Sequence, residues 1–164
     1  MELKIYQQEA LNTLTSFCKN YKESSGKVEE AFNNTLKNSE QFSEPYEPYL
    51  KVKESTAPYI CIRIPTGGGK TLIAAKSLKP VIEELYENDK TFLVIWLAPK
   101  DIIVNQTIKA LKDPKHPYRK AIDEDFPSTS INVMKLKDAL TNTFNKKTDI
   151  TILVGSMQSF NVGN

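Results

Sequence analysis

The chain has 164 residues, 40% hydrophobic and 26% charged, with a formal net charge of +2. That length suits one ordinary domain with a real core, and the composition is that of a soluble globular protein. A net charge this small argues neither for nor against a nucleic-acid partner, and no apolar run approaches the roughly 18–20 residues of a membrane span. The N-terminus lacks the apolar core of a signal peptide, which points to the cytoplasm. Cys18 and Cys61 lie in a helix-like and a strand-like pattern, at a spacing that suits neither a metal site nor a disulfide framework. They read as buried or half-buried thiols in a reducing compartment.

Residues 3–20 form an amphipathic helix by pattern, with Leu3, Tyr6, Ala10, Leu14 and Phe17 at helical spacing and Leu11 beside them. Residues 26–42 allow a surface helix built on Val28, Ala31, Phe32 and Leu36. Pro45, Pro48 and Pro58 mark 43–58 as a loop or linker. From Tyr59 onward strands and helices alternate. Tyr59–Ile64 is a predicted strand, and 70–88 a helix that Pro80 kinks or splits. Thr91–Leu97 is a continuous apolar strand, expected to be covered on both faces. Asp101 is the expected N-cap of a helix over 102–112. A loop over 113–127 holds one helical stretch near 117–125. A strand over 131–136, a short helix over 137–145 and a last strand over 150–154 follow. Such alternation predicts an α/β fold with a parallel, doubly wound sheet. The expected division is a helical segment with linker at 1–58 and an α/β part at 59–164.

The segment from Tyr59 to Thr71 carries the chemistry. A β-branched run leads into Pro65-Thr66-Gly67-Gly68-Gly69, and Lys70-Thr71 opens a helical pattern. A strand brings the chain to one point, the glycines accept positive φ, and backbone N–H groups can then close on phosphate oxygens. The following helix adds unpaired amides and a positive dipole end. Lys70 reaches the β- and γ-phosphates, and the Thr71 hydroxyl suits Mg²⁺. The strict phosphate-loop pattern needs glycine at position 64, where this chain has Ile64. A chance Gly-Lys-Thr in a strand–turn–helix connection is the competing reading. ATP and Mg²⁺ are the expected cofactors.

Four pieces together resemble one group: Tyr6-Gln7, Arg63 to Thr71, Trp96 to Thr107, and Ile152 to Phe160. The set is similar to the first motor lobe of superfamily 2 helicases of the DEAD/DEAH type, with the restriction subunit of type III restriction enzymes the nearest match. The resemblance implies a RecA-like P-loop NTPase fold. It assigns Gln7 to adenine, as a side-chain amide can donate to and accept from one base edge. The alternative for Gln7 is an exposed helix glutamine. Pro65 to Thr71 match the phosphate loop. Pro99, Lys100, Gln106 and Thr107 match a motif that touches the nucleic-acid backbone, and Ser156 and Gln158 match a later strand-end motif in that role. For Gln106 and Thr107 the alternative is a capped helix facing solvent. Lys109, Lys112, Lys115, His116, Arg119 and Lys120 form a basic stretch, read as solvated surface in preference to a phosphate-tracking face. His116 lacks an identifiable catalytic partner.

The family's Asp-Glu pair, which holds Mg²⁺ and polarises water, has no match after the last strand, and Asp123-Glu124-Asp125 falls in the wrong order. The second motor lobe and a nuclease domain have no counterpart either, so the sequence reads as an incomplete first lobe with an N-terminal helical extension. Phosphoryl transfer needs a phosphate cradle, an acid–metal pair, a water-positioning group and a charge-stabilising arginine, and the sequence supplies only the first. The expected function is the N-terminal ATP-binding portion of an ATP-dependent DNA helicase or translocase, partnered by DNA, the rest of the motor and a methyltransferase subunit. The alternative is a nucleotide-binding or interaction module without turnover; a kinase or another P-loop class is a third possibility.

Overall fold

The computed structural model describes residues 2–37, 57–86, 91–139 and 149–160. The chain forms two compact units, Met1–Glu87 and Asn88–Asn164.

The first unit is built on α1 (Ile5–Glu23) and α2 (Val28–Lys37), followed by α3 (Lys70–Lys76) and α4 (Leu78–Leu85). The helical spacing of Leu14, Phe17 and Cys18 puts all three on one face of α1. They pack with Ala31 of α2, and Val81 and Leu85 of α4 close the cluster. A second cluster joins Leu11 of α1, Ile73 of α3 and Ile64, with Leu3, Tyr6 and Ala10 against it. Asn20 donates to the Thr35 hydroxyl at 2.9 Å, tying α1 to α2. The expected helix at 26–42 is described to Lys37. Residues 38–42, and most of the expected linker at 43–58, lie outside the described residues.

One expected element of this unit is corrected and another is resolved. Tyr59–Ile64 is not a strand: no β-ladder among the described residues includes it. Tyr59, Ile60 and Ile62 are exposed, while Ile64 is buried. A β-branched run supplies propensity, but a strand exists only with a ladder partner, and the elements described in this unit are helices. The helix expected over 70–88 splits, one of the two outcomes expected of Pro80: α3 ends at Lys76 and α4 begins at Leu78. Pro80 has no N–H to bond the carbonyl of Lys76, so the chain restarts at Ser77 and Pro80 falls in the first turn of α4, where that N–H is dispensable. The Ser77 hydroxyl caps the break by donating to the Ile73 carbonyl at 2.8 Å.

The second unit is a three-stranded parallel sheet in the order β1 (Phe92–Ala98), β3 (Ile150–Ser156), β2 (Ile131–Lys135). α5 (Asp101–Lys112) packs on all three strands, α6 (Pro117–Asp125) packs on α5, and α7 (Leu136–Ala139) packs on β2 and β3. β3 is central and buried along its whole length. Leu136 would collide with any side chain at Gly155, where a Cβ would lie 2.8 Å from Leu136 Cδ2, so α7 covers the face of Leu153 and Gly155. Leu93, Ile95 and Leu97 of β1 are in register with Thr151, Leu153 and Gly155, on that same face, yet remain exposed. Full coverage therefore holds for β3 and not for β1. β1 is an edge strand of this sheet, and α7 packs chiefly on β3 and β2.

Smaller corrections follow. α5 is capped by extended Lys100, and Asp101 is its first helical residue. It still puts an acidic residue in the first turn, where the helix dipole favours negative charge. The strand expected at 131–136 ends at Lys135, since Leu136 begins α7, and the last strand runs on to Ser156. Residues 140–145 of the helix expected at 137–145 lie outside the described residues.

Candidate nucleotide site

The loop from Pro65 to Gly69 is fixed by its own carbonyls. The Pro65 carbonyl accepts from the Gly68 N–H at 3.0 Å and from Lys70 Nζ at 2.9 Å. The Gly68 carbonyl accepts from Tyr6 Oη at 3.0 Å and from Gln7 Nε2 at 2.8 Å. Each carbonyl oxygen has two lone pairs, and both are used. Gly67 and Gly69 sit at φ +76° and +82°, the left-handed region that other residues enter only at a cost. Space adds a second constraint. A Cβ at Gly68 would lie 2.6 Å from Ile64 Cγ2, and one at Gly69 would lie 2.6 Å from Gln7 Nε2. Gly67 has nothing within 4 Å of the Cβ position.

Ile64 thus acquires a role. Buried against Leu11 and Ile73, it anchors the start of the loop in the core, which a glycine there would not do. Lys70 and Thr71 head α3. Lys70 is exposed and Thr71 half-buried. These residues fit a Mg²⁺-bound triphosphate on the loop's own geometry: left-handed glycines, a lysine that can exchange a carbonyl for a phosphate oxygen, and a hydroxyl in the first helical turn.

Gln7 is not the exposed helix residue of the alternative reading, as the residue is only 6% exposed. Its Oε1 accepts the Lys4 N–H at 2.9 Å, closing the first turn of α1, while Nε2 holds Gly68. Tyr6, which the pattern marks only as a core position, reaches the same carbonyl. A shallow depression lined by Glu2, Leu3, Ile5, Gln8, Glu9 and Lys76 contains none of the loop residues.

In the second unit, Ala98 at the carboxyl end of β1 is in register with Ser156 at the carboxyl end of β3. Pro99-Lys100 and Met157-Gln158 therefore leave the sheet at the same end, the end where ligands of such sheets gather. Pro99, Lys100 and Gln158 are exposed, as is Gln106 further along α5. Thr107 and Ser156 are buried, so Gln106 alone fits the solvent-facing alternative. The basic stretch is partly consumed internally. Arg119 Nε meets Asp123 Oδ1 at 2.7 Å and its Nη1 donates to the Leu111 carbonyl at 3.3 Å. His116 caps α6, its Nδ1 accepting the Tyr118 N–H at 3.3 Å. No cluster of three or more His, Cys, Asp or Glu side chains placed to hold a metal occurs among the described residues.

An α/β fold with a parallel sheet and a glycine loop running into a Lys-Thr helix defines a P-loop protein of RecA-like type. The chain belongs to the family described as type III restriction enzyme, res subunit, whose model matches residues 1–164. That family lies in the helicase/ATPase superfamily. No curated protein and no solved structure matches the chain. No helix among the described residues is long and apolar enough to cross a membrane.

Proposed function

We propose that this chain is the ATP-binding part of an ATP-dependent DNA helicase or translocase of a type III restriction endonuclease, working in the cytoplasm. The observation that carries the reading is the loop at 65–71, whose left-handed Gly67 and Gly69 and helix-heading Lys70 suit a triphosphate in a chain of this family. Pro65, Thr66, Gly67, Gly68 and Gly69 form the cradle, Lys70 neutralises phosphate charge, and the Thr71 hydroxyl holds Mg²⁺. The nucleotide supplies the phosphoryl group, and the metal offsets its negative charge. Gln7 borders the site from α1, where the adenine would be read.

DNA is the proposed polymer partner, met at the sheet end that carries Pro99, Lys100 and Gln158, with Gln106 beside it on α5. Thr107 and Ser156 act there through backbone and packing, since their side chains are buried. The remaining partners in this reading are a second motor lobe, a nuclease domain and a modification methyltransferase subunit. The division into a helical segment at 1–58 and a motor segment at 59–164 belongs to the same reading.

The test is Lys70→Ala in the assembled restriction enzyme, read as DNA-stimulated phosphate release and ATP-driven movement on DNA. Both should vanish while DNA binding persists. Retained ATP-driven movement contradicts the reading. ATP binding by the complete assembly without phosphate release would favour a nucleotide-binding module without turnover.

A further inference from the structure

The core accounts for the ring of Tyr6 but not for its hydroxyl, which the proposed chemistry leaves unused. Its ring packs at the Leu11–Ile64–Ile73 cluster, which any aromatic could do, yet its hydroxyl crosses to the Gly68 carbonyl at 3.0 Å. That carbonyl already accepts from Gln7 Nε2 at 2.8 Å. Two donors from adjacent residues of α1 therefore converge on one oxygen of the loop, 62 and 61 residues away in sequence.

The consequence follows from peptide geometry. The Gly68–Gly69 amide is planar and trans, so its N–H points opposite to its C=O. With the carbonyl held toward α1, the Gly69 N–H is turned away from α1, and it makes no hydrogen bond among the described residues. This amide is also easy to flip, because glycine lies on both sides and Gly69 stands at φ +82°. A flip would present a carbonyl oxygen where a phosphate needs a donor.

We propose that Tyr6, with Gln7, is a positioning residue that locks the Gly68–Gly69 peptide with its N–H available to the phosphates of a nucleotide. The proposal rests on the nucleotide reading of the loop. It also gives Gln7 a structural duty in addition to any contact with adenine.

The experiment uses the 164-residue chain, isotope-labelled, with Tyr6→Phe and Gln7→Glu. The first keeps the ring and removes one donor. The second keeps the acceptor for the Lys4 N–H and sets a carboxylate against the Gly68 carbonyl. Without nucleotide, the Gly69 amide resonance should shift and broaden in both variants, while the Tyr6→Phe melting midpoint falls by no more than about 2–4 °C, the loss of one hydrogen bond. With fluorescent ADP, Tyr6→Phe should weaken binding about fivefold, the worth of one hydrogen bond of ~1 kcal/mol. Gln7→Glu should weaken it more. Fluorescent adenosine should lose nothing in Tyr6→Phe. An unchanged Gly69 amide in Tyr6→Phe overturns the proposal, and so does an equal loss for adenosine and ADP. Wild-type chain that binds no nucleotide overturns the reading of the loop instead, and the ligand-free amide comparison keeps the two failures apart.

Discussion

Gly69 carries two constraints at once, and one methyl group tests both. An alanine there must adopt a left-handed backbone, at roughly 1–2 kcal/mol, and must displace the Gln7 amide 2.6 Å away. Gly69→Ala should therefore lower the melting midpoint by about 2–4 °C per kcal/mol lost and should also weaken nucleotide binding. Calorimetry and a fluorescent-nucleotide titration check the two effects. The two thiols differ as sharply. Cys18 is buried in the α1–α2 cluster, and burial, followed by the nearby Glu84 carboxylate, pushes its pKa up to about 11. Cys61 is exposed. Iodoacetamide at pH 8 should label Cys61 in the folded chain and reach Cys18 only on unfolding, as mass spectrometry of the two peptides would show. The linkage has a definite sign. Above the ordinary thiol value of 9.0 the folded state holds a proton the unfolded chain gives up, so this contribution to stability is present below pH 9 and lost as pH rises toward 11.

At the scale of elements, Asp149 brackets the amino ends of all three strands. Its carbonyl accepts the Phe92 N–H of β1 at 2.7 Å, and its carboxylate accepts both the N–H and the hydroxyl of Ser130, just before β2, at 2.8 and 2.9 Å. The Ser130 carbonyl in turn accepts the Ile150 N–H at 3.0 Å. Those bonds to Ser130, backbone first and hydroxyl second, hold the Asp149 carboxyl below its ordinary value of 3.8. A lowered carboxyl stabilises the fold above that value and stops doing so as pH falls through its folded pKa. Asp149→Ala should lower the melting midpoint at pH 7, and the difference from wild type should shrink on acidification below pH 4. A constant difference across that range would contradict the bracket. The same scale shows what could be read in advance. α5 and α6 were legible because apolar period and a loop at 113–116 frame them. The bracket was not, because Asp149 and Ser130 are 19 residues apart and nothing local marks them as a pair. His116 looked idle for the opposite reason: its ring nitrogen accepts the N–H of Tyr118, two residues on, a capping bond that a search for catalytic neighbours passes over.

For the whole molecule, the α/β class and the glycine loop leading into a helix were readable because local signals agree: glycines, Lys-Thr, helix. The strand at 59–64 failed because a strand is a relation between two segments, and propensity describes only one of them. The sheet order β1-β3-β2 was equally hidden, since only the register of distant segments fixes it. Tyr6 was read as core, correctly but incompletely: a periodic pattern identifies a buried face and says nothing of a hydroxyl at its rim. All of these features meet in one claim, that the loop at 65–71 holds a Mg²⁺-nucleotide. The most direct measurement is calorimetric titration of the 164-residue chain with Mg-ATP and Mg-ADP, beside Lys70→Ala. The account predicts saturable one-site binding by the wild type and loss of at least ten-fold in affinity, about 1.4 kcal/mol, in the variant. No binding by a folded wild-type chain, or equal affinities for the two, would contradict it.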